Sequence, residues 1–169
     1  CCKKLNIPCH IVCIPRFNKV NYQLAINYKP QFITSMLHKF AHKYAGVLYL
    51  DVDMVINKFP KLFDNSNNDD MMCFNWNFDP AVISNGCIDP FVLETAGGLM
   101  FFANTPRSLN VLSLWSSTLQ QKQYKLCADD RVLAMVFRKH NLIHTTRVSW
   151  LPVEYFYIPQ YFSHLKLDS

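Results

Sequence analysis

Two aspartates one residue apart, Asp51 and Asp53, close the apolar run "LYLDVD". Side chains alternate between the faces of a β-strand, so we expect both carboxylates on one side and Val52 on the other. Two like charges this close are unfavourable unless a cation or hydrogen-bond donors compensate them. Carboxylate oxygens are ligands that Mg²⁺ and Mn²⁺ prefer, and a pair of them leaves coordination positions open. The pattern therefore indicates either two solvated acids at a strand end or a divalent-metal site.

The elements around this pair predict an α/β arrangement. Three apolar segments predict buried strands: residues 9–14, 46–53 and 97–103. Between the first two, residues 29–44 carry apolar side chains at helical spacing behind Pro30, which suits the first turn of a helix. A strand, helix, strand unit forms a parallel sheet whose ligands bind beyond the carboxyl ends of the strands. Asp51 and Asp53 fall at such an end.

The later segments continue this alternation. Residues 71–76 predict a shorter strand, and "TPRSLNVLSLWSSTLQQ" predicts a helix capped by Thr105 with Pro106 at its first position. Asp129 and Asp130 open a further helix, "DDRVLAMVFRKH". No repeat or linker interrupts the chain. We therefore expect residues 1–169 to form a single α/β domain, with a mostly parallel central sheet flanked by helices.

Composition limits the classes of protein that this chain can represent. Half of its 169 residues are hydrophobic, which is enough for a buried core. The net charge of +5 is spread over scattered lysines and arginines, which favours a solvated surface over nucleic-acid binding. No apolar run approaches the roughly 20 residues of a membrane-spanning helix. The seven cysteines are an odd number and no Asn-x-Ser/Thr site occurs, so we expect reduced thiols in a cytoplasmic protein.

Four segments of the chain resemble, in order, the signature segments of one known family. They are "NYKPQFITSMLHKFAHKYAGVLYLDVDMVINKFPKLF", "ETAGGLMFFANTPRSLNVLSLW", "ADDRVLAMVF" and "LPVEYFYI". The family is that of GT-A-fold nucleotide-sugar glycosyltransferases, and in particular its nucleotide-diphospho-sugar transferase group. The resemblance implies a GT-A-like, Rossmann-like domain. It also implies transfer of a sugar from a nucleotide-diphosphate sugar to a hydroxyl of a carbohydrate or protein-linked glycan, with retention of anomeric configuration.

Carried over position by position, the resemblance implies the residues of a donor site. Asp51 and Asp53 would form the metal-binding D-x-D, with Mn²⁺ or Mg²⁺ bridging the diphosphate of the donor. Lys29, in the segment "YKP", would approach the donor or its phosphates. Gly97 and Gly98 match a small-residue turn before a strand under the sugar, where the backbone approaches a ligand closely.

The resemblance also implies residues closer to the chemistry. Asp129 matches the aspartate of an Asp-Gln pair that faces the donor sugar or the acceptor, and Asp130 stands where the glutamine is usual. Both acids are therefore candidate catalytic residues. Glu154, in "LPVEYF", would line the acceptor side, and His164 lies where a C-terminal histidine completes the metal site in some members.

One departure from the family concerns the start of the chain. GT-A domains begin with a strand and loop that hold the nucleoside base, whereas this sequence opens at what resembles the second strand, "IPCHIVCI". We therefore expect the first strand of the fold to be missing here and to precede Cys1 in a longer protein.

Two other functions stay open from the sequence. In a phosphatase of the haloacid dehalogenase class, Asp51 would be the nucleophile and Asp53 the acid-base, and Thr105, Asp129 and Asp130 would stand in its later motifs. In a non-catalytic sugar-binding module, exposed aromatic side chains would stack on sugars. The residues available for such stacking are Trp76, Trp115, Trp150 and the tyrosines of the closing segment "VEYFYIPQYF".

Overall fold

The computed structural model describes residues 2–11, 22–76 and 94–158 of the chain. Four α-helices lie within these ranges: α1 (Tyr22–Asn27), α2 (Lys29–Phe40), α3 (Pro106–Leu119) and α4 (Asp129–Lys139). Four strands form one sheet: β1 (Gly46–Leu50), β2 (Met71–Asn75), β3 (Thr95–Ala103) and β4 (Val148–Trp150). Short 3₁₀ helices connect them: Lys61–Asn68, Lys122–Tyr124, Leu142–His144 and Val153–Tyr155.

The described strands lie in the order β1-β3-β2-β4. β3 pairs antiparallel with both β1 and β2, whereas β2 and β4 pair in parallel. Three of the four described strands therefore run in one direction and β3 runs against them. The predicted α/β class with a helix-flanked sheet is confirmed. The position of an antiparallel strand between β1 and β2 is a feature that the sequence pattern did not predict.

The first predicted strand, residues 9–14, is not seen in the part of it that the structure describes. Residues 9–11 are exposed and have no regular secondary structure, and residues 12–14 lie outside the described residues. A short turn precedes them, in which the Ile7 backbone N–H donates to the Cys2 carbonyl at 2.9 Å. Of the predicted strand, helix, strand unit, the structure therefore describes α2 and β1.

The helices begin where the sequence predicts them. α2 carries Pro30 in its first turn, and α3 is capped by the Thr105 hydroxyl, which accepts a hydrogen bond from the Ser108 backbone N–H at 3.2 Å. α4 opens with Asp129 and Asp130. No helix among the described residues combines the length and the apolar character that crossing a membrane requires.

The two faces of the sheet are covered differently. On one face, α2, α3 and α4 pack over a buried core. On the other face, the 3₁₀ segments at 61–68 and 153–155 cover a second, aromatic-rich cluster. The larger side chains of the first core include Ile33, Leu37, Met100, Phe102 and Trp115. Together the two cores fix β3, whose first residues form the floor of the site described next.

Candidate active site

Asp51 and Asp53 lie just beyond the end of β1. The strand ends at Leu50, and the Asp51 backbone N–H still donates to the Gly98 carbonyl at 2.8 Å. The chain then turns, with the Met54 N–H bonded to the Asp51 carbonyl at 3.0 Å. Strand alternation therefore does not set the directions of the two carboxylates, which corrects that part of the sequence argument. Asp51 is half-buried and Asp53 is exposed.

Tyr49 connects the Asp51 carboxylate to the interior. Its hydroxyl donates a hydrogen bond to Asp51 Oδ1 at 2.8 Å. Burial raises the pKa of Tyr49 far above its ordinary value, and the hydrogen bond to Asp51 and the charges of Asp51, Asp129 and Asp53 raise it further. All three acids therefore lie close enough to affect one phenol. The sequence analysis did not single out Tyr49, although its spacing of two from Asp51 was the signal that could have identified it.

Lys29 lies at the centre of the site and is 8 % exposed. Its Nζ is 2.7 Å from Asp129 Oδ2 and 3.6 Å from Asp51 Oδ1, and it donates a hydrogen bond to the Gly97 carbonyl at 3.0 Å. It also lies 5.0 Å from the centroid of the Tyr49 ring, in cation–π range. The ammonium thus joins the end of β1 to the start of α4. Its predicted approach to donor phosphates stays a prediction.

Asp129 is the acid of the helix-opening pair that points inward. It is 8 % exposed, and its carbonyl accepts a hydrogen bond from the Trp115 indole N–H at 2.8 Å. Its Oδ2 atom is buried, and among the described residues only the ionic contact with Lys29 compensates it, without a well-aligned hydrogen bond. The ionic contact with Lys29 therefore holds the buried oxygen of Asp129 in place.

Asp130 lies further from the ammonium and is half-buried. Its Oδ1 accepts a hydrogen bond from the Arg131 backbone N–H at 2.7 Å, and its carbonyl accepts one from the Thr95 hydroxyl at 2.8 Å. Burial, together with the negative charge of Asp129, raises the pKa of Asp130, although the Arg131 N–H and Lys29 act in the opposite direction. The two neighbouring acids thus have different environments.

Gly97 and Gly98 lie inside β3 and not in a turn before it, which corrects their predicted position. A methyl group on Gly97 would lie 3.1 Å from Lys29 Nζ and 3.6 Å from Asp129 Oδ2. A methyl group on Gly98 would lie 3.0 Å from Phe156 Cε2 and 3.5 Å from Asp51 Oδ2. The missing side chains therefore let Lys29 and Phe156 approach the strand closely, a packing reason that the sequence did not predict.

The sequence as a whole was compared with known proteins. The family model of the nucleotide-diphospho-sugar transferases matches residues 15–168. The chain belongs to this family. Neither the search of curated proteins nor the search of solved structures found a match. Membership in the nucleotide-diphospho-sugar transferase family supports a transferase whose donor is a nucleotide sugar, and it agrees with the mixed α/β fold.

The geometry removes Thr105 from the residues that the phosphatase alternative could use. Thr105 donates its hydroxyl to Asp70 Oδ1 at 2.7 Å and caps α3. It follows the last residue of β3, whereas Gly97 lies near the first, so roughly 20 Å of strand separates Thr105 from the acids at the end of β1. Thr105 therefore cannot act on a group bound to Asp51.

Two predicted site residues remain, Glu154 and His164. Glu154 is exposed in the 3₁₀ segment Val153–Tyr155, and it is Phe156, two residues later, that contacts Gly98. His164 lies outside the described residues. The role of Glu154 on the acceptor side stays a prediction.

The tryptophans considered for sugar stacking pack mainly into the protein. Trp115 is fully buried and holds the Asp129 carbonyl, as described above. Trp76 follows β2 and packs edge-on against Phe156, with ring centroids 5.3 Å apart. Trp150 ends β4 and is half-buried against the helix-side core.

The described residues supply few groups for a metal ion. No group of three or more His, Cys, Asp or Glu side chains is arranged to hold a metal ion in residues 2–11, 22–76 and 94–158. Asp51 and Asp53 are thus a pair of carboxylates without a third described protein ligand. A pair suits an ion that takes its other ligands from a bound diphosphate and water, as Mg²⁺ commonly does.

Proposed function

We propose that this family member is a metal-dependent glycosyltransferase. It would move a hexosyl or pentosyl group from a nucleotide-diphosphate sugar to a hydroxyl of a carbohydrate or protein-linked glycan, with retention. The observation that carries the proposal is the convergence of Asp51, Lys29 and Asp129 on the glycine pair of β3, in a chain that belongs to this transferase family.

Asp51 and Asp53 are the residues that would hold Mn²⁺ or Mg²⁺. Asp51 Oδ1 accepts a hydrogen bond from the Tyr49 hydroxyl, and Oδ2 lies beside Gly98. Asp53, two residues further along the chain, is exposed. A bound ion would stabilise the negative charge that grows on the departing nucleoside diphosphate. Two hard oxygen ligands, of which the Asp53 carboxylate is exposed to solvent, fit such an ion.

The chain's own charges would act on the sugar. Glycosyl transfer passes through an oxocarbenium-like transition state, whose positive charge a nearby carboxylate stabilises. Asp129 is our candidate for that carboxylate, because it is buried and fixed by Lys29 and by the Trp115 indole. Charges that are fixed before the reaction stabilise a transition state without a reorganisation cost. Asp130, beside it, is the second candidate for a proton-handling role, since the pKa of its carboxyl is raised.

A donor panel tests this proposal. The purified chain is incubated with a set of nucleotide-diphosphate sugars, with and without Mn²⁺, and release of the nucleoside diphosphate is measured. We expect metal-dependent release that falls by about 10- to 100-fold or more in Asp53→Ala. Asp64→Ala is the matched control, because Asp64 is also an exposed acid and lies in the 3₁₀ segment Lys61–Asn68.

Three outcomes would contradict parts of the proposal. Equal release with and without metal would contradict the metal requirement. No release from any donor by the folded chain would contradict transferase activity in favour of a binding module. Cleavage of a generic phosphate ester with a covalent aspartyl phosphate at Asp51 would favour the phosphatase. The anomeric configuration of the transfer product, read by NMR, tests retention separately.

A further inference from the structure

We propose that Tyr49 is a positioning residue that fixes the orientation of the Asp51 carboxylate. Its hydroxyl engages Oδ1 and so leaves Oδ2 turned towards Gly98. This assignment rests on the proposed function only for what Oδ2 binds. The orientation itself is a property of the protein and can be tested without any ligand.

Three contacts restrict the Asp51 carboxylate. The Tyr49 hydroxyl donates to Oδ1 at 2.8 Å, and the Lys29 ammonium lies 3.6 Å from the same oxygen. The Asp51 backbone N–H is bonded to the Gly98 carbonyl at 2.8 Å, which fixes the position of the main chain. Because both side-chain partners are on Oδ1, turning the carboxylate out of this orientation would break the Tyr49 hydrogen bond.

The Tyr49 hydroxyl contributes what Lys29 alone does not. The contact from Lys29 to Asp51 is longer than its 2.7 Å contact with Asp129, so the ammonium is held chiefly by Asp129. The Tyr49 hydroxyl is thus the short, directed partner of Oδ1. A partner that orients a ligating carboxylate commonly affects metal affinity or activity by about 10- to 100-fold.

Tyr49→Phe isolates the hydroxyl from the ring. The ring lies in β1 opposite Met100, packs against the helix-side core and lies 5.0 Å from the Lys29 ammonium. Phenylalanine keeps this packing and the cation–π contact and removes only the donor to Asp51. The variant is therefore expected to fold. Tyr44→Phe, at an exposed tyrosine beyond α2, is the matched control.

The decisive measurement is the crystal structure of Tyr49→Phe beside those of the wild type and Tyr44→Phe. We expect the Asp51 carboxylate to rotate in Tyr49→Phe alone, so that Oδ2 leaves the position beside Gly98. An Asp51 carboxylate that keeps its wild-type orientation in Tyr49→Phe would overturn the assignment. This result does not depend on whether the chain transfers sugar.

A second measurement connects the orientation to the proposed function. Mn²⁺ binding is followed by electron paramagnetic resonance in the presence of each nucleoside diphosphate of the donor panel. We expect binding about 10- to 100-fold weaker in Tyr49→Phe than in the wild type. Wild-type chain that neither binds Mn²⁺ nor releases nucleoside diphosphate would defeat the proposed function while a rotated Asp51 still supports the positioning role. Unchanged Mn²⁺ affinity in Tyr49→Phe, with an unmoved carboxylate and an active wild type, would defeat the positioning role alone.

Discussion

The Lys29 ammonium lies 2.7 Å from Asp129 Oδ2, and each of the two residues is the first of its helix. A cation at a helix N-terminus is unfavourable, whereas an anion there is favourable. The ion pair offsets the unfavourable position of the Lys29 charge, because the side chain extends from the start of α2 to Asp129 at the start of α4. This pair joins two helices and, through the 3.6 Å contact with Asp51, the end of β1.

Removing the charge of Lys29 should destabilise the fold. In Lys29→Met the Asp129 carboxylate stays buried without its cation, and breaking a buried pair in this way costs about 3 kcal/mol of unfolding free energy. Urea unfolding measures the loss. Adding Asp129→Asn to Lys29→Met should recover much of it, and Lys58→Met, at an exposed lysine, should change stability by less than about 0.5 kcal/mol. A Lys29→Met variant as stable as the wild type would show that the pair is not a structural link.

The two acids that open α4 should differ in their effect on turnover. Asp129→Asn should lower kcat by about 100-fold or more, because it neutralises the buried carboxylate next to Lys29. Asp130→Asn should cost about tenfold or less, since the amide oxygen can still accept the Arg131 N–H. Steady-state kinetics on the donor identified by the panel give kcat for both variants, and circular dichroism checks that both variants fold. The reverse order would assign the catalytic role to Asp130.

Asp70 should make the stability of the fold sensitive to acid. Burial alone would raise the pKa of Asp70, but the Arg147 N–H, the Thr105 hydroxyl, the Arg147 guanidinium and the Arg107 charge together lower it below its ordinary value. A carboxyl whose pKa is lower in the folded than in the unfolded chain stabilises the fold above the unfolded pKa of about 3.9. That stabilisation is lost as pH falls through the lower, folded value.

Asp70→Asn tests this acid dependence. We expect it to reduce the unfolding free energy by about 1–3 kcal/mol near neutral pH, because the partners of the carboxylate lose their charged acceptor. It should also flatten the decline of stability below about pH 4. Urea unfolding at a series of pH values measures both effects, with the exposed Asp64→Asn as control. If the unfolding free energy of Asp70→Asn falls with decreasing pH as steeply as that of the wild type, groups other than Asp70 cause the acid sensitivity.

Alanine at the two glycines of β3 should have different consequences. In Gly98→Ala the methyl group meets the Phe156 ring, which is buried and stacked on Phe74 at 5.3 Å, so we expect a loss of about 1–3 kcal/mol. In Gly97→Ala it meets the flexible end of Lys29, which can shift, so stability should change less while turnover falls. Urea unfolding and donor hydrolysis separate the two effects. Adding Phe156→Leu to Gly98→Ala should recover stability, and its failure to do so would contradict this steric explanation.

Much of the local structure follows from the sequence. Pro30, the Thr105-Pro106 pair and the two acids at 129 and 130 predict where α2, α3 and α4 begin, and the helices begin there. The apolar runs predict β1, β2 and β3 to within a few residues. Four segments in order predict the family, which the family model confirms. The helix starts and the strands depend on residues that are neighbours in the chain, and the family depends on the order of the four segments along it.

The sequence by itself therefore determined the helix starts, most of the strands, the family and the place of Asp51 at the tip of β1. Only the tertiary structure decided that β3 runs antiparallel, that Lys29 bonds inward to Asp129, and that Lys29 also approaches Asp51. The reason is physical. Caps and periodicity act over a few residues, whereas strand direction and the choice of ionic partner depend on groups that only folding brings together.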